Sequence, residues 1–369
     1  MSTQPVIEMC MSARVIVTCG TGGVGKTSVA AALGYEIAQQ GKRAIVITID
    51  PARRLADAIG LGEGTGNEIQ RVPLDTTGEL WVTMLDVQET FDSLVRDTSP
   101  TPERAKEVMD NSFYRSLSRS LSGTRDYMAA ERLYDLCEDS RFDVIIVDTP
   151  PSRNALDFLE SPERLARFLK HPIVKFLVAP SRGGFRLVNA AMQPVFKAIS
   201  TVVGGDTLTG TAAFLRAFDG MEEEFSRRAL VVAKTLRSAS SSFVIVTAPS
   251  PDALTEADHF VSELSRLGIT LRLIVANRMP PHFGTSTAAE EHSLAKSQSG
   301  DLARVHELIA GLHDHADRAD SDIQAFIQRT STAFPAVSIA FATELATDIH
   351  DMDSIGALAQ QLAAPPAQQ

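Results

Sequence analysis

The sequence predicts an α/β fold: a mainly parallel β-sheet flanked by helices, with a helical subdomain inserted into it. Three observations predict it. Short Val- and Ile-rich runs recur along the 369 residues with little period-two alternation, the pattern of strands buried on both faces. Stretches long enough for crossover helices separate them. A glycine-rich turn, Gly20 to Thr27, follows the first such run and precedes a helical pattern.

In chain order the expected strands are Arg14 to Cys19, Ala44 to Ile49, Leu80 to Leu85, Asp143 to Val147, Phe243 to Thr247, Leu271 to Ala276 and Ala336 to Ala340. Two helical blocks, about 100–140 and about 155–236, sit in connections between strands and are expected to pack together as the subdomain. The first is expected to start after Ser99-Pro100-Thr101-Pro102. Residues 281–300 are small and polar and read as a mobile loop. One domain is expected over 1–363, with a disordered tail at 364–369.

Composition excludes several classes. An apolar fraction of 44% and a charged fraction of 22% are those of a globular chain. A net charge of −11 argues against nucleic acid as partner and against docking on anionic lipid. The opening residues have no basic start followed by an apolar core, and no apolar run is long enough to span a bilayer. The three cysteines, Cys10, Cys19 and Cys137, form no CxxC and read as reduced thiols. A cytoplasmic protein without direct membrane insertion is expected.

The chemistry starts at Gly20-Thr21-Gly22-Gly23-Val24-Gly25-Lys26-Thr27, followed by Ser28. This is GxxxxGK[ST] with a strand before it and a helix after it, the context a phosphate-binding loop needs. Glycines let backbone N–H groups converge on phosphate oxygens, and the helix start adds its positive dipole end. Lys26 is then expected to reach the β- and γ-phosphates of ATP, and the Thr27 hydroxyl to hold Mg²⁺. Asp148 ends the run Val-Ile-Ile-Val and suits a carboxylate on the same ion; Asp50 ends another strand and suits the group that positions attacking water. Each acid could instead cap the helix that follows. Both stand at carboxyl ends of strands, where open parallel sheets bind ligands.

Four segments then recur in a telling order: Cys19 to Ser28, Ile49-Asp50-Pro51-Ala52-Arg53-Arg54-Leu55, Val147-Asp148-Thr149-Pro150-Pro151-Ser152, and Val275-Ala276-Asn277-Arg278-Met279-Pro280. With them the chain resembles the P-loop NTPases of the arsenite-pump and tail-anchored-protein-targeting family, a deviant Walker A class, over roughly residues 13–363. It looks like a bacterial, single-half member, since no second P-loop follows. The resemblance implies that Asp50 to Leu55 form one switch, with Asp50 polarising the hydrolytic water, and Asp148 to Ser152 a second. It implies that Asn277 binds adenine, although an Asn there could also cap a turn. It implies dimers that sandwich ATP, and helical subdomains that couple to a client.

Three departures stand out. The family's signature lysine at the second loop position is Thr21 here. Residues 278–300 hold no cysteine, so a zinc-clasped dimer is not expected. The cysteines are scattered, which counts against arsenite chemistry. A loop that keeps Lys26, Thr27, Asp50 and Asp148 but lacks the trans lysine points to a heterodimer with a lysine-bearing paralogue, self-association being the alternative. Arg53 or Arg54 could instead replace the charge.

Apolar residues between 163 and 203, Phe176 and Phe196 among them, suit either ordinary core or a groove for a hydrophobic protein client. His306 and His313 share a helical face, with His315 pointing away, and polar neighbours suggest a solvated face rather than a metal site. Alternative functions are an energy-coupling subunit of a membrane anion pump, a partitioning-type ATPase and a small-molecule kinase. Residues 330–369 lack Lys and Arg, which disfavours the partitioning type.

Overall fold

Runs such as Val144-Ile-Ile-Val-Asp148 and Ser241-Ser-Phe-Val-Ile-Val-Thr247 are buried at every position, so each must be covered on both faces. The structure, a computed structural model, describes residues 4–49, 67–111, 122–150 and 221–364, together with Leu55, Ile59, Tyr114 and Arg115. Its strands are β1 (Val15–Cys19), β2 (Arg43–Thr48), β3 (Gln70–Val72), β4 (Glu79–Met84), β5 (Val144–Asp148), β6 (Ser241–Thr247), β7 (Leu271–Met279) and β8 (Ser338–Thr343). They form one sheet in the order β3-β4-β2-β5-β1-β6-β7-β8. All neighbours run parallel except β3 and β4. The expected α/β class is therefore the observed one.

The helices are α1 (Gln4–Ser12), α2 (Lys26–Gln39), α3 (Val87–Thr98), α4 (Pro102–Asp110), α5 (Ser122–Glu138), α6 (Glu222–Leu236), α7 (Pro251–Arg266), α8 (Ala288–Ser297), α9 (Asp301–Ala333) and α10 (Met352–Ala363). The chain divides into two compact units. The sheet unit comprises Met1–Met84, Ser140–Leu156 and Arg237–Gln369; the helical unit comprises Leu85–Asp139 and Asp157–Leu236.

In the sheet unit α2 packs on β2, β4 and β5, and its other side meets α10. Nine of its residues are buried, four of them alanines and one a glycine, and these small side chains let the helix lie close to the strands. The helical unit has its own core, built on Phe91, Leu94 and Val95 of α3, Val108 of α4, Tyr127 and Met128 of α5, and Phe225 and Ala229 of α6. Glu131 of α5 is buried there, and Arg228 of α6 bonds it at 2.6 Å while also reaching Glu224 at 3.0 Å.

Several elements differ from the sequence-based expectation. Residues 281–300 are not one mobile loop: α8 occupies 288–297, started by a capping box in which Thr287 and Glu290 bond each other's backbone. Helix α3 precedes the Ser99–Pro102 stretch expected to open the helical block, with Asp86 as its cap. Short β3 was not expected; it pairs antiparallel at the edge and carries too few residues to show a period. The face of His306 and His313 is not solvated: His313 is buried, and His306 bonds the buried Glu291 of α8 at 2.6 Å. Among the described residues no group of acids, histidines and cysteines could hold a metal ion, and no helix is long and apolar enough to cross a membrane.

Candidate active site

The site grows from the carboxyl ends of β1, β5 and β2. Parallel register sets Asp148 beside Thr18 of β1 on one side and Thr48 of β2 on the other. Asp148 is fully buried, and its Oδ2 accepts hydrogen bonds from Thr48 Oγ1 at 3.1 Å and from Thr27 Oγ1 at 2.8 Å. The first residues of α2 are thereby tied to the end of β5. Next along β5, Thr149 Oγ1 donates to the Thr18 carbonyl at 2.7 Å.

The loop itself is shaped by two close approaches. Gly20 lies at φ 151° with its Cα turned to β6; a Cβ there would stand 2.2 Å from the Val246 carbonyl oxygen. Gly25 caps α2 at φ 88°, and a Cβ there would stand 2.3 Å from Asn277 Nδ2. That amide donates to the Val24 carbonyl at 2.8 Å, so β7 braces the loop from behind. Lys26 is buried, and its Nζ donates to the Thr21 carbonyl at 2.8 Å, spanning the loop it belongs to. Cys19 is buried just before the loop; burial pushes its thiol up to about 12 against the pull of Lys26, so it is no nucleophile.

Beside the loop lies a cleft of about 220 Å³ lined by Gly25, Ser28, Asn277 and Arg278, by Thr343 at the end of β8 and by residues of the segment that follows it as far as Ile349. Arg278 is the one non-glycine residue with positive φ, 56°, among the described residues. It sits where the β7–β8 register shifts, between Ala276 and Met279. The irregularity directly follows Asn277, the residue that braces the loop, and holds a strained backbone beside the cleft.

Of the residues singled out in the sequence, Gly20 to Ser28, Asp148 and Asn277 thus converge at one end of the sheet. Asp50 lies outside the described residues, as do Arg53, Arg54, Phe176 and Phe196. Sequence reasoning missed three contributors. Thr48 was hidden because only register brings it to Asp148; Arg278 because a left-handed arginine leaves no pattern; the segment after β8 because it follows an edge strand by loop alone. Chemically, the glycine loop runs into the N-terminus of α2, whose backbone N–H groups and dipole suit an anion, and the buried Lys26 ammonium reaches back across the loop to Thr21. The paired oxygens of Thr27 and Asp148 are the hard donors that Mg²⁺ selects.

A parallel α/β sheet with such a loop at the end of its central strand defines a P-loop nucleotide hydrolase. A family model described as anion-transporting ATPase matches residues 13–342, and the chain belongs to that family of ATPases. It is similar to an arsenical pump-driving ATPase of Aquifex aeolicus, at 23% identity over 73% of this chain and 64% of that protein. It is also similar to the ATPase get3 of Aspergillus terreus, at 24% identity over 80% of this chain and 82% of the other. A third relative is the ATPase GET3B of Arabidopsis thaliana, at 27% identity over 71% and 63%. The chain thus spans a little under two thirds of the first and third of these relatives.

Proposed function

We propose that this chain is an ATP-driven switch that binds and releases a protein client, working as a heterodimer with a lysine-bearing paralogue. The observation that supports the reading is Lys26, Thr27 and Asp148 brought together beside a neutral Thr21. Lys26 is buried at the loop, and Thr27 is bonded to Asp148. Thr21 offers that Lys26 only its backbone carbonyl.

In this reading the loop amides and Lys26 hold the β- and γ-phosphates, and Thr27 and Asp148 hold Mg²⁺. The ion supplies charge neutralisation across the phosphates. Asp50 orients the water that attacks the γ-phosphorus, and ADP leaves with phosphate as second product. Asn277 keeps its Nδ2 on Val24 and turns its remaining amide oxygen to the adenine in the neighbouring cleft. A cation supplied in trans to such a site is worth about 10³ to 10⁵ in rate. Thr21 cannot supply it to a partner, but a paralogue's lysine can supply it to this chain, so the pocket of this subunit is the more active one of the pair.

Three rates test the heterodimer: the chain alone, the chain mixed with its nearest paralogue, and Thr21→Lys alone. Low, higher and raised ATPase activities are expected. Full activity alone, unmoved by either change, would exclude a trans lysine. Asp50→Asn is expected to keep ATP binding and lose hydrolysis, and the trapped complex, isolated from its own cell, identifies the client by mass spectrometry. A membrane channel recovered in that complex would favour instead a subunit that energises an anion pump, the activity named in the family description.

A further inference from the structure

Strand β7 is buried at every position except two, and both exceptions are arginines, Arg272 and Arg278. Each sits where the strand's register slips. Arg278 does so at the carboxyl end, beside the nucleotide cleft. At the amino end Leu271 pairs with Phe243 of β6 and Leu273 already pairs with Val244, so Arg272 is the extra residue of a β-bulge. A bulge re-aims the side chain it carries. Regular alternation would set Arg272 on the face opposite Leu273, yet it lines one cavity with Ser242 of β6 and Ser338 of β8. Those two serines share the face of Leu273: Ser338 is level with it, and Ser242 lies two residues before its other neighbour, Val244. Helix α1 adds Glu8 and Met9 to the same cavity, whose volume of about 390 Å³ suits a small molecule.

We propose that this cavity binds a free amino acid, with the α-carboxylate on Arg272, Ser242 and Ser338 and the α-ammonium on Glu8. Among the described residues none of these four side chains makes a hydrogen bond or an ion pair within the chain. Ser242 is only 4% exposed, and a buried hydroxyl without a partner is costly, so it calls for a ligand group. A guanidinium matches a carboxylate through two parallel N–H groups, and serine hydroxyls donate to its remaining lone pairs. The two charges select the class. A simple anion would gain Arg272 but meet Glu8, and a simple cation would do the reverse. A neutral polyol would leave both charges unmatched, whereas a zwitterion answers each. Met9 offers apolar surface to the ligand's side chain. The cavity lies at the amino ends of β6, β7 and β8, whereas the phosphate-binding loop grows from carboxyl ends. Nucleotide therefore does not compete, and the site is independent of the proposed switch.

The test is a thermal-shift screen of the full chain, without nucleotide, against the common free amino acids one at a time. Isothermal titration follows with the amino acid that shifts the melting temperature most. At least one is expected to raise it and to bind saturably. Arg272→Ala changes an exposed side chain and is expected to weaken that binding at least about tenfold, as loss of a charge-assisted pair does. Glu8→Gln should weaken it as well. The ligand provides a second arm that leaves the protein untouched. The N-acetyl and the amide forms of the same amino acid each lack one charge, and both should bind at least about tenfold more weakly. A screen in which no free amino acid moves the melting temperature overturns the proposal. So does binding indifferent to Arg272→Ala, an N-acetyl form that binds as tightly as the parent, or a shift that inorganic phosphate reproduces in full.

Discussion

Each unit buries a carboxylate, and the two are held in different ways. In the sheet unit Asp148 Oδ2 accepts hydrogen bonds from two neutral hydroxyls, those of Thr27 and Thr48. In the helical unit Glu131 meets the guanidinium of Arg228 at 2.6 Å. Hydroxyls satisfy an oxygen without neutralising it, so Asp148 keeps its use for a cation. A guanidinium neutralises, so Glu131 is committed to joining α5 and α6. The same burial therefore marks a site in one unit and a structural tie in the other, and the partner decides which.

The comparison breaks most sharply at Gly25. Gly25→Ala forces a Cβ into Asn277 Nδ2 at a left-handed φ, so ATP affinity is expected to fall by about a hundredfold or more. Titration with a fluorescent ATP analogue reads it, and unchanged affinity would mean that the loop keeps its shape without the brace. Next in size, Asp148→Asn is expected to lower Mg²⁺-dependent hydrolysis by about a hundredfold, whereas Glu131→Gln leaves it unaltered. Equal losses in steady-state assays would erase the distinction drawn between the two carboxylates.

Stability sharpens the contrast further. Arg228→Leu strands Glu131 in the helical core and is expected to cost about 3 kcal/mol in denaturant unfolding. Burial pushes the Glu131 carboxyl up to about 7, against the pull of Arg228. A raised folded-state value makes its contribution complete below about pH 4.5 and lost as pH rises through 7, and melting curves across that window should show the decline. Glu131→Gln should flatten it. The smallest effect is at the exposed Arg43–Asp143 pair of the sheet unit. The Asp143 carboxyl is held down at about 2, mainly by its hydrogen bond from Arg43, so its contribution exists above about pH 4 and fades as pH falls through 2. Asp143→Ala is expected to leave the melting temperature at neutral pH nearly unchanged, because solvent screens the pair.

Legibility in the sequence followed the range of the interaction. The run Val144 to Asp148 announces a two-sided strand through its own residues, and Gly20 to Thr27 announces a phosphate cradle through theirs. Thr48 could not be seen from its neighbours, since it matters only through register with a residue 100 positions away. Helix α8 was misread because it carries no apolar stripe, Glu291 being its one buried residue; Thr287 and Glu290, three apart, carried the start in plain view. The buried His313 was read as solvated because its sequence neighbours are polar, while the surface that covers it belongs to another helix.

The Asn277–Val24 hydrogen bond links residues 253 apart, and the Thr27–Asp148 bond residues 121 apart. During synthesis the loop residues leave the ribosome early, long before either of their anchors exists. A nascent chain truncated before β7 has the motif but not the brace, so its loop is a flexible glycine segment with the entropy still to lose. The braced form of the loop therefore becomes available only once β7, about three quarters of the way along the chain, has been made.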